Sequence, residues 1–128
     1  MLIYYGTGRR KNSSSRVFMK NGNGNIVINK INIDKYVYMN LKKYIIISPM
    51  IITNLIDKFD LFITVKGGGY SSQLYAIRLG ISRAIVKYNE NFKNILKKLK
   101  YLTRDSRSVE RKKFGLKKSR KKPQYSKR

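Results

Sequence analysis

A chain of 128 residues that sets thirty lysines and arginines against six acidic residues carries +24 at neutral pH. No other feature limits so strongly what it can fold into. Self-repulsion at that density opposes compaction unless a polyanion neutralises it. The expected partner is therefore nucleic acid or an anionic membrane surface. An apolar fraction of 41% is too high for a chain disordered throughout, and the length suits one domain with a single modest core. No run of about 18 apolar residues occurs, and the most apolar stretch, 44–52, is broken by Ser48 and Pro49. The opening Met1-Leu2-Ile3-Tyr4-Tyr5 reaches Gly6 within one turn, so no secretory signal peptide is expected. The balance favours nucleic acid, with no membrane and no small-molecule substrate expected.

Cysteine and histidine are both absent, which excludes disulfides, zinc fingers and any mechanism that needs an imidazole or a thiolate. No catalytic residue, metal or cofactor is assigned, and the chain is not expected to be an enzyme. Lysine outnumbers arginine 20 to 10, and tryptophan is missing. With abundant Ile and Asn, this suits a coding sequence pushed toward A and T in a reduced bacterial or organellar genome. The arginines that persist are clustered: Arg9, Arg10 and Arg16, then Arg78 and Arg83, then Arg104, Arg107, Arg111, Arg120 and Arg128. Between Val17 and Ile77 there are seven lysines and no arginine. Arginine kept in a lysine-rich chain marks places that need a planar, bidentate, stacking cation, so these segments are the candidate nucleic-acid contacts.

Periodicity predicts strands over 3–11 and 15–20, a turn over 21–25, and a third strand over 25–29 that completes an antiparallel meander. Asp34 is the expected N-cap of a short helix over 35–39. A helix is predicted over 41–47, with Pro49 starting a new turn. A fourth strand follows over 61–66. After Gly67-Gly68-Gly69 a helix is expected over 72–88, with Leu74, Ile77, Ile81, Ala84, Ile85 and Tyr88 in one apolar stripe and Arg78, Arg83 and Lys87 off it. A last basic helix, 91–101, is expected to turn Phe92, Ile95, Leu96 and Leu99 inward. The pattern then changes. Residues 104–128 hold twelve cations against Asp105 and Glu110, a net +10. So little apolar surface cannot offset the entropy of ordering. The chain therefore divides into a globular domain, 1–103, and a basic arm, 104–128, whose part beyond Gly115 could extend about 45 Å.

Three motifs carry the binding chemistry. Tyr5-Gly6-Thr7-Gly8-Arg9-Arg10-Lys11 puts two glycines, which let backbone approach a phosphate, before three cations. Lys66-Gly67-Gly68-Gly69-Tyr70-Ser71-Ser72-Gln73 is a strand, a glycine loop and a helix start, an arrangement that can hold an RNA phosphate or form a plain structural turn. It lacks the Gly-Lys-Ser/Thr ending of a nucleotide-binding loop and any nearby acid for a metal. In the arm, Phe114 and Tyr125 are interleaved with cations, so rings can stack on bases or riboses while cations meet phosphates.

These motifs, with Ile63-Thr64-Val65-Lys66-Gly67-Gly68-Gly69, Ala76-Ile77-Arg78-Leu79-Gly80-Ile81-Ser82-Arg83-Ala84, Thr103-Arg104-Asp105, Val109-Glu110-Arg111-Lys112-Lys113 and the closing Ser126-Lys127-Arg128, resemble one family over residues 4–128. It is universal small-subunit ribosomal protein nine in its bacterial or organellar form. The resemblance implies an α+β fold, a two-layer mixed sheet with helices on one face. That fold is like domain two of ribosomal protein five, with its left-handed β-α-β unit, and here it bears an extended basic C-terminal tail. It implies a structural constituent of the small-subunit head that binds 16S-type ribosomal RNA beside neighbouring head proteins. The ribosome would be that of an AT-rich bacterium's cytoplasm or of an organelle. It also implies that the tail runs to the decoding region, where Ser126, Lys127 and Arg128 contact peptidyl-site transfer RNA.

The ribosomal RNA contacts nominated on the domain are Arg9, Arg10, Lys11, Arg16, Lys66, Gly67, Gly68, Gly69, Arg78 and Arg83. Those on the tail are Arg104, Arg107, Arg111, Lys112, Lys113, Lys117, Lys118, Arg120, Lys121 and Lys122. The chain departs from the bacterial pattern at Ser72 and Tyr75, where glycines are usual. Two readings from other classes compete: an architectural nucleoid protein, which calls for a dimer and an intercalating wedge, and a small phosphoryl-transfer enzyme acting through Lys66 or the glycine loop.

Overall fold

The computed structural model of the chain describes residues 2–37 and 40–102, with 40 and 41 described by backbone alone. In chain order its elements are β1 (Ile3–Arg10), β2 (Ser13–Asn21), β3 (Ile26–Ile28), β4 (Ile31–Asn32), α1 (Ile33–Tyr36), α2 (Asn40–Ile52), β5 (Phe59–Lys66), α3 (Tyr70–Tyr88), a single 3-10 turn (Glu90–Phe92) and α4 (Lys93–Lys98). The strands form one mixed sheet in the order β1-β2-β5-β3-β4. The α+β, two-layer expectation holds, with helices on one face of the sheet.

Alternation decides which face that is. On β2 the residues Ser13, Ser15, Val17 and Met19 are buried, and on β5 Phe59, Leu61, Ile63 and Val65. They meet Leu74, Ile77, Ile81, Ala84 and Ile85 of α3, and Ile46 and Met50 of α2. The stripe expected on α3 is buried except for Tyr88, which stays 39% exposed. Against β1 there is almost nothing between strand and helix. A Cβ on Gly6 would strike the Gly80 carbonyl oxygen, and one on Gly8 would strike that of Ala76 and lie 2.7 Å from the Gly80 nitrogen. Both glycines therefore face α3, and their role is close packing of strand on helix, not approach to a phosphate. Ser15 Oγ donates to the Ala76 carbonyl at 2.8 Å across the same contact.

Several elements depart from the expected pattern. The third strand does not continue a meander: β5 lies between β2 and β3, antiparallel to the first and parallel to the second. The turn before β3 is pinned to β5 instead, because Asp60 Oδ1 accepts the amides of Asn23, Gly24 and Asn25 at 2.9, 3.0 and 2.9 Å. The β3–β5 pair is the parallel crossover among the described strands, with β4, α1 and α2 in its connection. A short strand, β4, was not expected; it forms because Asn29 and Lys30 both take positive φ, 51° and 68°, which closes a two-residue hairpin. The Asn29 carboxamide then pairs with Val65, donating to its carbonyl at 3.0 Å and accepting its amide at 2.9 Å. It continues the β3 ladder with a side chain.

The cap of α1 is Asn32, whose Oδ1 accepts the Asp34 amide at 2.9 Å, not Asp34 itself. The helix α2 runs straight through Pro49. Proline there orphans the Ile45 carbonyl, and Ser48 Oγ takes it up at 3.1 Å. At the C-terminal side only Leu96 of the expected inward set is fully buried; Ile95 and Leu99 are 42% and 44% exposed. The helix expected over 91–101 is a 3-10 turn and a short α4, too short to turn a whole face inward.

Two outcomes follow for the isolated chain. Gly8→Ala inserts a methyl into a backbone-to-backbone contact and should lower stability by about 3 kcal/mol or more in urea melts. Asp60, whose pKa is lowered chiefly by the Asn25 amide with help from those of Asn23 and Gly24, contributes stability above the ordinary carboxylate pKa and loses it as pH falls through its depressed folded value. Thermal melts of wild type and Asp60→Asn should therefore differ at neutral pH, with the difference shrinking only as pH falls from about 4 through the depressed folded value.

Candidate nucleic-acid interface

Two motifs far apart in the chain are brought together at one end of the sheet. The β1–β2 hairpin ends in Lys11 and Asn12, with Lys11 at φ 55°, and its first β2 residue reaches the glycine loop. Ser13 Oγ donates to the Gly67 carbonyl at 2.8 Å and lies 2.7 Å from Ser72 Oγ. Either hydroxyl can be the donor in that pair. Ser72 Oγ also lies 3.0 Å from the Gly69 carbonyl. The loop needs glycine on its own account, because Gly67 and Gly68 take φ of 82° and 64°, a region other residues enter only with strain. Ser72, where the resemblance expects glycine, is a strut between the hairpin and the loop.

A second chain of bonds fixes the loop from α1. Tyr36 Oη donates to Gln73 Oε1 at 2.7 Å, and Gln73 Nε2 donates to the Gly67 carbonyl at 3.1 Å. Burial, with Tyr70 next to it, pushes the Tyr36 phenol up to about 12, so it remains a donor throughout the physiological range. Gly69 precedes α3 with no side-chain cap, leaving the first turn of a 19-residue helix to other acceptors.

The nominated cations form a band around this end. Arg9, Lys11, Arg16 and Lys66 are exposed. Arg9, Arg16 and Arg83 line one open hollow of about 480 Å³ at the β1 edge. Arg16 and Lys66 line another of about 300 Å³ with Ser14, Asn29 and Thr64. Arg83 donates from Nη1 to the Thr7 carbonyl at 2.9 Å, so it covers the edge of β1 and keeps further donors for a ligand.

On the helix side the cations alternate with rings. The Arg10 guanidinium lies 4.5 Å from the Tyr75 ring centroid. Arg78 lies 4.8 Å from Tyr75 and 4.5 Å from Tyr101. Lying off the apolar stripe marks Arg78 as an RNA contact in the sequence, yet in the fold it is half-buried between two tyrosines. Burial lowers its pKa, opposed by Tyr101 and then Tyr75, though an arginine keeps its charge. Tyr75, the second departure from the bacterial pattern, is thus the centre of a four-residue ladder that holds residue 101 against α3.

The nominated Arg104, Arg107, Arg111, Lys112, Lys113, Lys117, Lys118, Arg120, Lys121, Lys122, Ser126, Lys127 and Arg128 lie outside the described residues. On the domain, sequence reasoning missed Ser13, Gln73, Asn29 and the Tyr75–Tyr101 ladder. Each acts through a partner at least 23 positions away, and no local pattern reports such a pairing.

Compared with known protein families, residues 8–128 match the family described as Ribosomal protein S9/S16. The match spans the hairpin end, the glycine loop, α3 and the basic segment beyond residue 103.

Removing the ring at the centre of the ladder tests its worth. Tyr75→Ala should lower stability by about 1–2 kcal/mol in urea melts, whereas Tyr75→Phe, which keeps the π face, should stay within about 0.5 kcal/mol of wild type.

Proposed function

The chain belongs to the Ribosomal protein S9/S16 family, so it is a structural, non-enzymatic protein of the ribosome that binds ribosomal RNA, and from that premise we propose where it binds and with which residues. The domain docks in the head of the small subunit on 16S-type RNA. Arg9, Arg10, Lys11 and Arg16 from the hairpin, Lys66 with Gly67, Gly68 and Gly69 from the loop, and Arg78 and Arg83 from α3 form its contact band. The observation that carries this reading is the bonding of Ser13 to Gly67 and Ser72. It joins the basic triplet and the glycine loop into one rigid cationic end, so both can meet the same stretch of backbone. Phosphate contacts of this kind set position and affinity without reading sequence.

The tail's cations, from Arg104 to Lys122, continue along the RNA and neutralise it as they go. Ser126, Lys127 and Arg128 reach the peptidyl site and steady transfer RNA by contacting anticodon-stem phosphates. The composition suits the ribosome of an AT-rich bacterium or of an organelle. An architectural nucleoid protein would account for the charge equally well, but not for membership of a ribosomal family.

One gradient experiment addresses both levels. Tagged full-length chain and a chain lacking 126–128 should both sediment with the small subunit and with whole ribosomes at moderate salt. The truncated subunits should retain peptidyl-site transfer RNA less well, with a salt slope shallower by about 1.5. A tag that sediments with chromosomal DNA would remove the ribosomal placement, and equal retention would remove the role of the tail tip.

A further inference from the structure

The face of the sheet turned away from the helices carries an ordered pattern that the ribosomal RNA reading does not use. Register sets Tyr5 opposite Phe18, Phe18 opposite Phe62, and Phe62 opposite Val27, in one row across four strands. Phe18 is 39% and Phe62 41% exposed, and Tyr5 is half-buried with its ring centroid 4.9 Å from that of Phe18. Partly exposed rings side by side on a strand surface form an apolar patch, an arrangement with a cost unless something covers it. The described helices all pack on the opposite face.

Charge says what covers them. The row on one side holds Arg16 between Thr7 and Thr64, and the next holds Arg9, Ser14 and Lys66. On the other side Lys20 stands between Ile3 and Asp60, and its Nζ lies 4.7 Å from the Phe62 ring centroid. Asp60 is the one acid in these rows, and its carboxylate is engaged by three backbone amides. Cations outnumber acids along the rims of this face, Arg9, Arg16, Lys66 and Lys20 against Asp60. A stripe of rings with Arg16, Arg9 and Lys66 along one side and Lys20 on the other matches an unpaired strand, whose bases stack while its phosphates seek cations. A duplex, with its bases hidden, cannot use the rings.

We propose that Tyr5, Phe18 and Phe62 form a stacking platform for unpaired RNA bases, with Arg16 and Lys20 meeting the phosphates on either side. This rests on the ribosomal RNA reading and deepens it. The chain then has two modes of contact: a sequence-blind cationic end for backbone phosphates, and a flat aromatic face for a looped or bulged segment of the same RNA. The hollow beside Thr64, between Arg16 and Lys66, lies next to the platform and gives a phosphate or ribose room to settle.

The test uses the full chain and two RNA probes, a single-stranded ten-nucleotide oligomer and a duplex of the same length, with binding read by fluorescence anisotropy at several salt concentrations. In the double variant Phe18→Leu, Phe62→Leu the face stays apolar but loses its π systems. Single-strand affinity should fall about 10- to 100-fold, with duplex affinity and both salt slopes unchanged. Phe18→Tyr with Phe62→Tyr should bind like wild type. Single-strand affinity that survives the leucine pair, while wild type binds both probes with the expected salt dependence, would overturn the platform alone. Failure of the wild-type chain to bind either RNA would overturn the platform together with the reading beneath it. Unchanged RNA binding with lost incorporation into ribosomes would assign the face to a neighbouring protein, which also overturns the proposal.

Discussion

The approach of β1 to α3 without side chains between them is the contact on which the rest of the domain depends. Gly6 and Gly8 on the strand meet Ala76 and Gly80 on the helix so closely that no Cβ fits at either glycine. Seating the helix axis this low brings Leu74, Ile77 and Ile81 into the alternating side chains of β2 and β5, where they form the centre of the core. It also allows Ser15 to reach the Ala76 carbonyl and Arg83 to reach the Thr7 carbonyl. Larger residues at those positions would lift the helix and separate its first turn from the hairpin. The glycine loop would then lose its partner Ser13.

A chain with +24 gains from placing polar anchors where its charges crowd. The cationic end is held by neutral groups, Ser13, Ser72, Gln73 and Tyr36, whose hydrogen bonds add no charge and are little affected by salt. Arg10 and Arg78 lie against tyrosine faces, which attract a guanidinium through the ring quadrupole. With six acids in the whole chain, tyrosine rings add attraction that few salt bridges could supply. The same economy is visible in Asp60, one carboxylate that organises a whole turn and locks β3 beside β5. The domain can thus hold its shape while keeping its positive charge free for a polyanion.

Local signals and tertiary contacts divide cleanly in this molecule. The alternation of β5 and the stripe of α3 are written in the residues that form them, because a half-buried strand or helix has its period set by one face. Where a distant partner intervenes, the local pattern points elsewhere. Pro49 reads as a break, yet Ser48 satisfies the carbonyl it orphans, and the surrounding core holds α2 together. The residues 25–29 read as the third strand of a meander, but a three-residue strand has no preference between neighbours, and Asp60 decides. Gly6 and Gly8 read as a phosphate approach because the triplet Arg9-Arg10-Lys11 follows them; the helix that needs them lies about seventy residues on.

The sequence alone determined the class of partner, the α+β composition and the family, since these follow from charge, period and ordered motifs that need no knowledge of contacts. The tertiary structure decided which of those residues stand together. It placed β5 between β2 and β3, joined the hairpin to the glycine loop, enclosed Arg78 between two tyrosines and aligned Tyr5, Phe18 and Phe62 on one open face. The physical reason is that each of these depends on strand register or on a hydrogen bond between residues far apart in the chain. Such pairings are chosen by the free energy of the whole packed core, which no local window contains.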